Sequence, residues 1–176
     1  MPKLSERVGT FTDSVIRRMT RISDEYDAIN LSQGFPDFDP PKEIMDALAK
    51  AAYQGPHQYS ITFGAENFRE ALARKQGKAI GRTIRPDTEI VVTCGGTEAM
   101  MCAMMTICNP GDKVMVFSPF YENYGADAIL SGADPIYIPL VPPEYHFDMS
   151  LVEKGFQEGA KAIIVCNPSN PCGKVF

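Results

Sequence analysis

The spacing of apolar residues predicts three helices in the first half of the chain, at about Thr12 to Ser23, Pro41 to Gln54, and Ala65 to Lys78. In the first of these, apolar side chains recur every three or four residues and so share one face: Val15, Ile16, Met19 and Ile22. The second helix has suitable ends. A proline is tolerated in a first turn, and Gly55 favours a stop after the last turn.

From residue 89 onward, short apolar runs alternate with helical stretches. The runs predict four strands: EIVVT (89–93), KVMVFS (113–118), DPIYIPL (134–140) and KAIIVC (161–166). A helix over 97–108 and two later helices separate them. This alternation predicts parallel pairing through right-handed crossovers, and the continuously apolar strands predict a sheet covered on both faces. The predicted fold class is therefore α/β with a mostly parallel sheet.

Composition narrows the possible partners. The 176 residues carry 17 basic and 22 acidic side chains, a formal net charge of −5, without a run of Lys and Arg. We therefore expect no nucleic acid or anionic membrane as a partner. The start of the chain does not resemble a signal peptide, and the cytoplasm is the expected location. Five cysteines without a CxxC motif, and only two histidines, predict free thiols and no metal site.

The strongest local signal is VVTCGGTEAM, residues 91–100, in which a strand ends, two glycines turn, and a helix begins at Thr97. The first N–H groups of a helix lack intrahelical partners and carry partial positive charge. Gly95 and Gly96 let an anion approach the backbone, and Thr97 adds a hydroxyl, so the stretch predicts a phosphate cradle. It lacks the spacing of GxGxxG and the Gly-Lys-Ser/Thr of a P-loop. A plain strand-to-helix turn is the alternative.

Three more loops carry candidate binding residues. Tyr121 in SPFYENY (118–124) and Asn170 in the closing CNPSNPCGKVF (166–176) each follow a predicted strand. Ligands collect at the carboxyl ends of parallel strands, where Tyr121 offers a flat ring and Asn170 an amide. Gly34 in NLSQGFPDFDPP suggests a close backbone approach. The alternatives are a core aromatic, a Pro-rich turn and an ordinary coil.

Together these stretches resemble the class I/II aminotransferases, pyridoxal-phosphate enzymes of the aspartate aminotransferase fold. The resemblance is carried, in chain order, by NLSQGFPDFDPP, HQYSITFGAENFREAL, VVTCGGTEAM, VFSPFYENY and NPSNPCGKVF. It is strongest to the branch of methionine, kynurenine and aromatic aminotransferases. The implied fold is a three-layer α/β/α large domain, here truncated. Residues 1–40 would belong to the small domain, and residues 41–176 to the first, incomplete part of the large domain.

The resemblance implies a role for each candidate residue. Gly95, Gly96 and Thr97 match the cradle for the cofactor phosphate, and Tyr121 matches the aromatic that stacks on the pyridine ring. Asn170 matches an amide that hydrogen-bonds the cofactor's ring oxygen and helps to hold the substrate carboxylate. Gly34 matches a backbone contact to the substrate, and Tyr59 matches a tyrosine that reaches the phosphate in the neighbouring subunit. A homodimer acting on an amino acid and a 2-oxo acid is implied. Pro119 and Pro171 match positions that are often cis.

Some family features have no counterpart in this chain. The Schiff-base lysine is expected beyond Phe176, since Lys174 stands in the wrong place, so no catalytic residue is assigned and the fragment is expected to be inactive alone. Cys172 replaces the usual Thr of the Asn-Pro loop. A C–S lyase of the same fold and a non-catalytic phosphate-binding module stay open as alternatives. Thiol chemistry at Cys166 and Cys172 is a weaker one.

Overall fold

A computed structural model describes residues 3, 5–10 and 13–176. The chain forms two compact units. One comprises residues 14–93, and the other comprises residues 94–176 together with the residues before Ser14. The units are described separately below. The predicted domain boundary at residues 40/41 concerns a longer protein and stays a prediction.

The unit 14–93 contains three helices: α1 (Val15–Glu25), α2 (Lys42–Gln54) and α3 (Glu66–Ile80). Helix α1 begins later than predicted because the Ser14 hydroxyl caps it by accepting a hydrogen bond from the backbone N–H of Arg17 at 3.4 Å. The predicted start, Thr12, lies outside the described residues. Helix α3 runs two residues further than predicted because it stops at Gly81, whose left-handed backbone (φ 73°) suits a C-terminal cap.

The other unit carries the sheet. After a short 3₁₀ helix (Glu6–Thr10), its elements follow in order along the chain: α4 (Gly95–Ile107), β1 (Lys113–Ser118), α5 (Asn123–Leu130), β2 (Asp134–Pro139), α6 (Met149–Gln157) and β3 (Ala160–Ile164). The strands pair in the order β2-β1-β3, and both pairings are parallel. Lys113 faces Asp134 in one ladder, and Val116 faces Ile164 in the other. The predicted parallel α/β fold is therefore confirmed.

The central strand β1 is buried on both faces, which gives three layers. Val114 and Val116 point to a cluster formed with Met104 of α4 and Ala128 of α5. The alternate positions, Met115 and Phe117, point to a second cluster. That second cluster includes Ile138, Leu140 and Val152, the last of them on α6. The continuous apolar run of β1 follows from this double coverage, because neither face of the strand meets water.

Helix α6 reaches the sheet through a glycine. Gly155 is buried, and a Cβ atom built on it would lie 2.2 Å from the sulfur of Met115, which is fully buried. The contact between α6 and β1 therefore depends on the absence of a side chain at position 155.

We expect Gly155→Val to lower the free energy of unfolding by about 2 kcal/mol, because the added carbons overpack a closed core. Urea unfolding measures the change. Gln157→Val is the control, since it places the same side chain on the exposed part of the same helix, where only a small loss of helix propensity is expected. Equal losses from the two variants would contradict the close contact.

The predicted strand over 89–93 is wrong. These residues form no ladder, and the Val92 N–H donates to the carbonyl of Phe63 at 3.0 Å. An apolar, β-branched run becomes a strand only when a neighbouring strand completes its backbone hydrogen bonds. Within the described ranges, none of the helices has the length and apolar character needed to span a membrane.

Candidate functional site

The amino end of α4 forms the base of the candidate site. The helix begins at Gly95 rather than at Thr97, so both glycines lie in its first turn. Gly95 has a φ of 82°, which favours glycine, and no atom lies within 4 Å of the Cβ position of either glycine. The side of this turn where a side chain would lie is therefore open space.

Glu98 caps the same turn from within the helix. Its carboxylate accepts a hydrogen bond from the backbone N–H of Cys94. A carboxylate at this end interacts favourably with the helix dipole.

One cavity of about 270 Å³ joins this turn to the start of α5. Its lining residues are Gly96, Thr97, Met100, Tyr121, Asn123, Tyr124 and Asp127. The cavity therefore combines a helix N-terminus and a hydroxyl with the ring of Tyr121. The ring of Tyr124 meets that of Tyr121 edge-on, with centroids 5.6 Å apart. The structure thus brings together three residues predicted from sequence: Gly96, Thr97 and Tyr121.

Asn123 belongs to this cavity and was not predicted from sequence. Its side-chain Nδ2 lies 2.9 Å from the Thr97 hydroxyl and 3.5 Å from the Tyr121 hydroxyl. It is the first residue of α5. Its proximity to Tyr121 in the SPFYENY stretch was the available signal, but the direction of its side chain depends on the turn before the helix.

Asn170 lies in a narrow neighbouring cleft that shares Tyr124 with the main cavity and also includes Cys166 and Ser169. Two short backbone bonds close its loop, from Ser169 N–H to the Lys174 carbonyl and from Gly173 N–H to the Ser169 carbonyl, each 2.7 Å. The loop therefore has a defined shape. The Ser118–Pro119 and Asn170–Pro171 bonds are both cis, as predicted for these prolines.

Two side chains deep in the site have altered proton affinities. A hydrogen bond with the thiol of Cys166, together with burial, raises the pKa of Tyr124 to about 12, so the phenol stays neutral at physiological pH. Burial also raises the pKa of Asp127, which is 4% exposed and whose Oδ2 atom has no hydrogen-bond partner. The cavity floor thus holds a carboxyl group that resists ionisation.

We expect Asp127→Asn to raise the free energy of unfolding at pH 7. The folded state favours protonated Asp127, so its burial penalty is absent below the ordinary pKa of 3.8 and grows as pH rises through the raised value. The gain from the substitution should therefore shrink as pH falls from 7 to 4. Urea unfolding at several pH values measures this trend.

Asp112→Asn is the control, because it should change the free energy of unfolding at pH 7 in the opposite direction. The hydrogen bond from Lys161 lowers the pKa of Asp112, so this carboxylate contributes stability above pH 3.8 that is lost as pH falls through the lowered value. The substitution should therefore lower the free energy of unfolding at pH 7. A loss from Asp127→Asn at pH 7 would contradict the unpartnered, buried carboxyl group.

Tyr59 and Gly34 lie in the unit 14–93. Tyr59 is fully exposed and lines a cavity of about 670 Å³ together with Arg69 and Asp87. Gly34 is exposed, with no atom within 4 Å of its Cβ position. Their implied roles toward a substrate and a neighbouring subunit stay predictions.

The residues present fit pyridoxal phosphate. The open glycine turn and the Thr97 hydroxyl suit a phosphate group, and the Tyr121 ring lines the same cavity and suits a flat heterocycle. A cavity of this size is close to the lower end of the range for small-ligand sites, roughly 300–1,000 Å³. The unpartnered Asp127 oxygen adds a buried polar group to the cavity floor.

Comparison with known proteins finds aminotransferases among the relatives of this chain. The chain is 34% identical over 163 residues to the methionine aminotransferase of Escherichia coli K12, and 32% identical over 185 residues to kynurenine–oxoglutarate transaminase 3 of Mus musculus. These alignments cover 93% and 99% of the chain, but only 42% and 41% of the two relatives. The chain therefore spans less than half the length of either.

Structural comparison agrees. The crystal structure of an Escherichia coli protein with a methionine aminotransferase function superposes with a TM-score of 0.92 at 32% identity, covering the whole of this chain and 46% of that one. The sequence profile described as aminotransferase class I and II matches residues 26–176. The chain therefore belongs to the class I and II aminotransferase family.

Proposed function

We propose that the whole protein is a pyridoxal-phosphate-dependent aminotransferase, which moves an amino group between an amino acid and a 2-oxo acid. The observation that carries the proposal is the single cavity lined by the α4 glycine turn, the Thr97 hydroxyl and the Tyr121 ring. An anion site beside an aromatic platform matches the two ends of a phosphorylated pyridine.

When bound, pyridoxal phosphate supplies an electron sink for the Cα–H bond of an amino acid. The residues of this chain hold and orient it. Gly95, Gly96 and Thr97 would hold the phosphate at the first turn of α4, and Tyr121 would pack against the ring. The Asn170 amide, in the neighbouring cleft, would hydrogen-bond the ring oxygen and help to hold the substrate carboxylate.

The proposal assigns no catalytic lysine within the chain. Lys174 donates through Nζ to the Glu144 carbonyl at 3.1 Å and does not line the cavity. None of the residues that line this cavity is a lysine, so no residue of this chain is proposed to hold the cofactor covalently or to move the substrate proton.

The proposal extends to assembly and location. In a homodimer, exposed Tyr59 would reach the phosphate bound by the neighbouring subunit, and the backbone of Gly34 would contact substrate. The proposed location is the cytoplasm, where the five free cysteines would stay reduced.

The test is amino transfer by the full-length protein with added pyridoxal phosphate. Methionine and kynurenine serve as donors because they appear in the names of two relatives, with 2-oxoglutarate as acceptor. Mass spectrometry should detect glutamate together with the 2-oxo acid of the donor or, for kynurenine, its cyclised product. The result distinguishes the remaining alternatives. Ammonia and pyruvate from cystathionine, without glutamate, would indicate a C–S lyase, and tight cofactor binding without turnover would indicate a binding module.

A further inference from the structure

Asn123 connects the two halves of the cofactor cavity. Its side chain extends from the first turn of α5 and reaches the Thr97 hydroxyl on α4 at 2.9 Å. The same nitrogen lies 3.5 Å from the hydroxyl of Tyr121. One amide group therefore touches both the phosphate side and the ring side of the site.

The contact with Thr97 fixes the direction of a proton. An amide nitrogen carries two hydrogens, and a hydroxyl group has one proton and two lone pairs. Because Asn123 donates to Thr97 Oγ1, that oxygen uses a lone pair as acceptor and keeps its own proton for another partner. Thr97 lines the cavity beside Gly96, so an anion in the cavity is a suitable acceptor for that proton.

The contact with Tyr121 restrains the ring. The Tyr121 hydroxyl lies near Asn123, and the Tyr121 ring meets the Tyr124 ring at 73°, so Tyr121 has one neighbour at its hydroxyl and another at its ring. A stacking partner held in this way loses little conformational freedom when a flat ligand binds.

We propose that Asn123 is a positioning residue for the cofactor. It turns the Thr97 hydroxyl proton toward the phosphate and holds the Tyr121 ring in the stacking plane. This inference rests on the proposed function, because it takes pyridoxal phosphate as the ligand of the cavity.

The surroundings of Asn123 favour a neutral amide. Asp127 lies one helical turn further along α5 and lines the same cavity. A carboxylate at position 123 would accept the Thr97 proton instead of leaving it for the phosphate, and it would add a negative charge beside the anion. Asn123→Asp is therefore the most informative variant, because it keeps the size and reverses the hydrogen bond.

The test compares two probes, pyridoxal phosphate and pyridoxal, by titration calorimetry on the full-length protein without cofactor. Asn123→Asp should weaken the binding of pyridoxal phosphate, relative to that of pyridoxal, about tenfold or more. A loss of this size is expected when a hydrogen bond to a charged group is removed. Asn123→Leu should weaken the binding of pyridoxal phosphate, relative to that of pyridoxal, about threefold to tenfold. The ratio of the two affinities is internal to each variant, so a general loss of stability cancels. Ser131→Ala, which removes a hydrogen bond at the other end of α5, should leave the ratio unchanged.

A double-mutant cycle tests whether Asn123 acts through Thr97. In a Thr97→Val background, Asn123→Leu should change the affinity ratio less than twofold, because the hydroxyl that it orients is gone. Thr106→Val is the matched control on α4, since its hydroxyl donates a hydrogen bond within the helix, to the Cys102 carbonyl. In that background, Asn123→Leu should keep its full effect.

Three results would overturn the inference, and one of them would also overturn the proposed function. Equal losses of affinity for pyridoxal phosphate and pyridoxal would show that Asn123 has only a structural role. Full additivity of the Asn123→Leu and Thr97→Val effects on the affinity ratio would show that Asn123 does not act through the Thr97 hydroxyl. Failure of the unaltered protein to bind either probe would contradict both the inference and the proposed function.

Discussion

Gly96→Asp should weaken pyridoxal phosphate binding by the full-length protein at least about a hundredfold. The Cβ position of Gly96 faces open space, so the new side chain fits without disturbing the fold. It places a carboxylate in the turn that would hold the phosphate. Two unit charges about 4 Å apart near a protein surface repel by roughly 4 kcal/mol, more than enough for this loss.

Gly96→Asn is the matched control, because it adds nearly the same volume without charge. Its effect on pyridoxal phosphate should stay below about tenfold, since the amide can still donate to a phosphate oxygen. Pyridoxal, which lacks the phosphate, should bind both variants similarly. If Asp and Asn variants lost the same affinity, the turn would be excluding the ligand by size, and the phosphate assignment would fail.

Arg69→Met should lower the free energy of unfolding by about 3 kcal/mol, because it removes several hydrogen bonds from a buried cation. The Arg69 side chain is 3% exposed and donates to the Gly64 carbonyl at 3.0 Å and the Pro86 carbonyl at 2.6 Å. It also pairs with Asp87 at 3.0 Å, although Asp87 is 78% exposed and stays hydrated without it. Most of the loss therefore comes from the two carbonyls left without a donor.

Arg74→Met provides the comparison on the same helix. Arg74 is 72% exposed, and its 3.8 Å pair with Glu70 is a surface contact, so the change should cost less than about 0.5 kcal/mol. Urea unfolding of both variants measures the difference. Similar midpoints for the two would show that the Arg69 bonds contribute no more than an exposed ion pair.

The strands that were predicted correctly are those whose sequence pattern follows from burial inside one sheet. The β1 range, Lys113–Ser118, matches the prediction at both ends because the central strand is apolar on both faces. The run 89–93 is also apolar and β-branched, but it forms no strand. Pairing depends on which segments lie beside each other in space, and local pattern alone carries no information about that.

Part of the candidate site could also be predicted from the sequence. Tyr121 follows β1, and loops after parallel strands meet at one edge of the sheet. The glycine turn was predicted from the start of the helix that follows it, although the run before it forms no strand. Asn123 and Asp127 lie on α5, and whether they face the cavity depends on where that helix begins. The four-residue spacing places them on one face, but the turn before the helix decides which face meets α4.

The central claim is that the α4 turn and Tyr121 hold pyridoxal phosphate, and a crystal structure of the full-length protein with this cofactor tests it most directly. We expect the phosphate to lie within hydrogen-bond distance of the Gly96 and Thr97 backbone N–H groups and of the Thr97 hydroxyl, and the pyridine ring to stack on Tyr121. A phosphate bound elsewhere, or a ring that does not contact Tyr121, would contradict it.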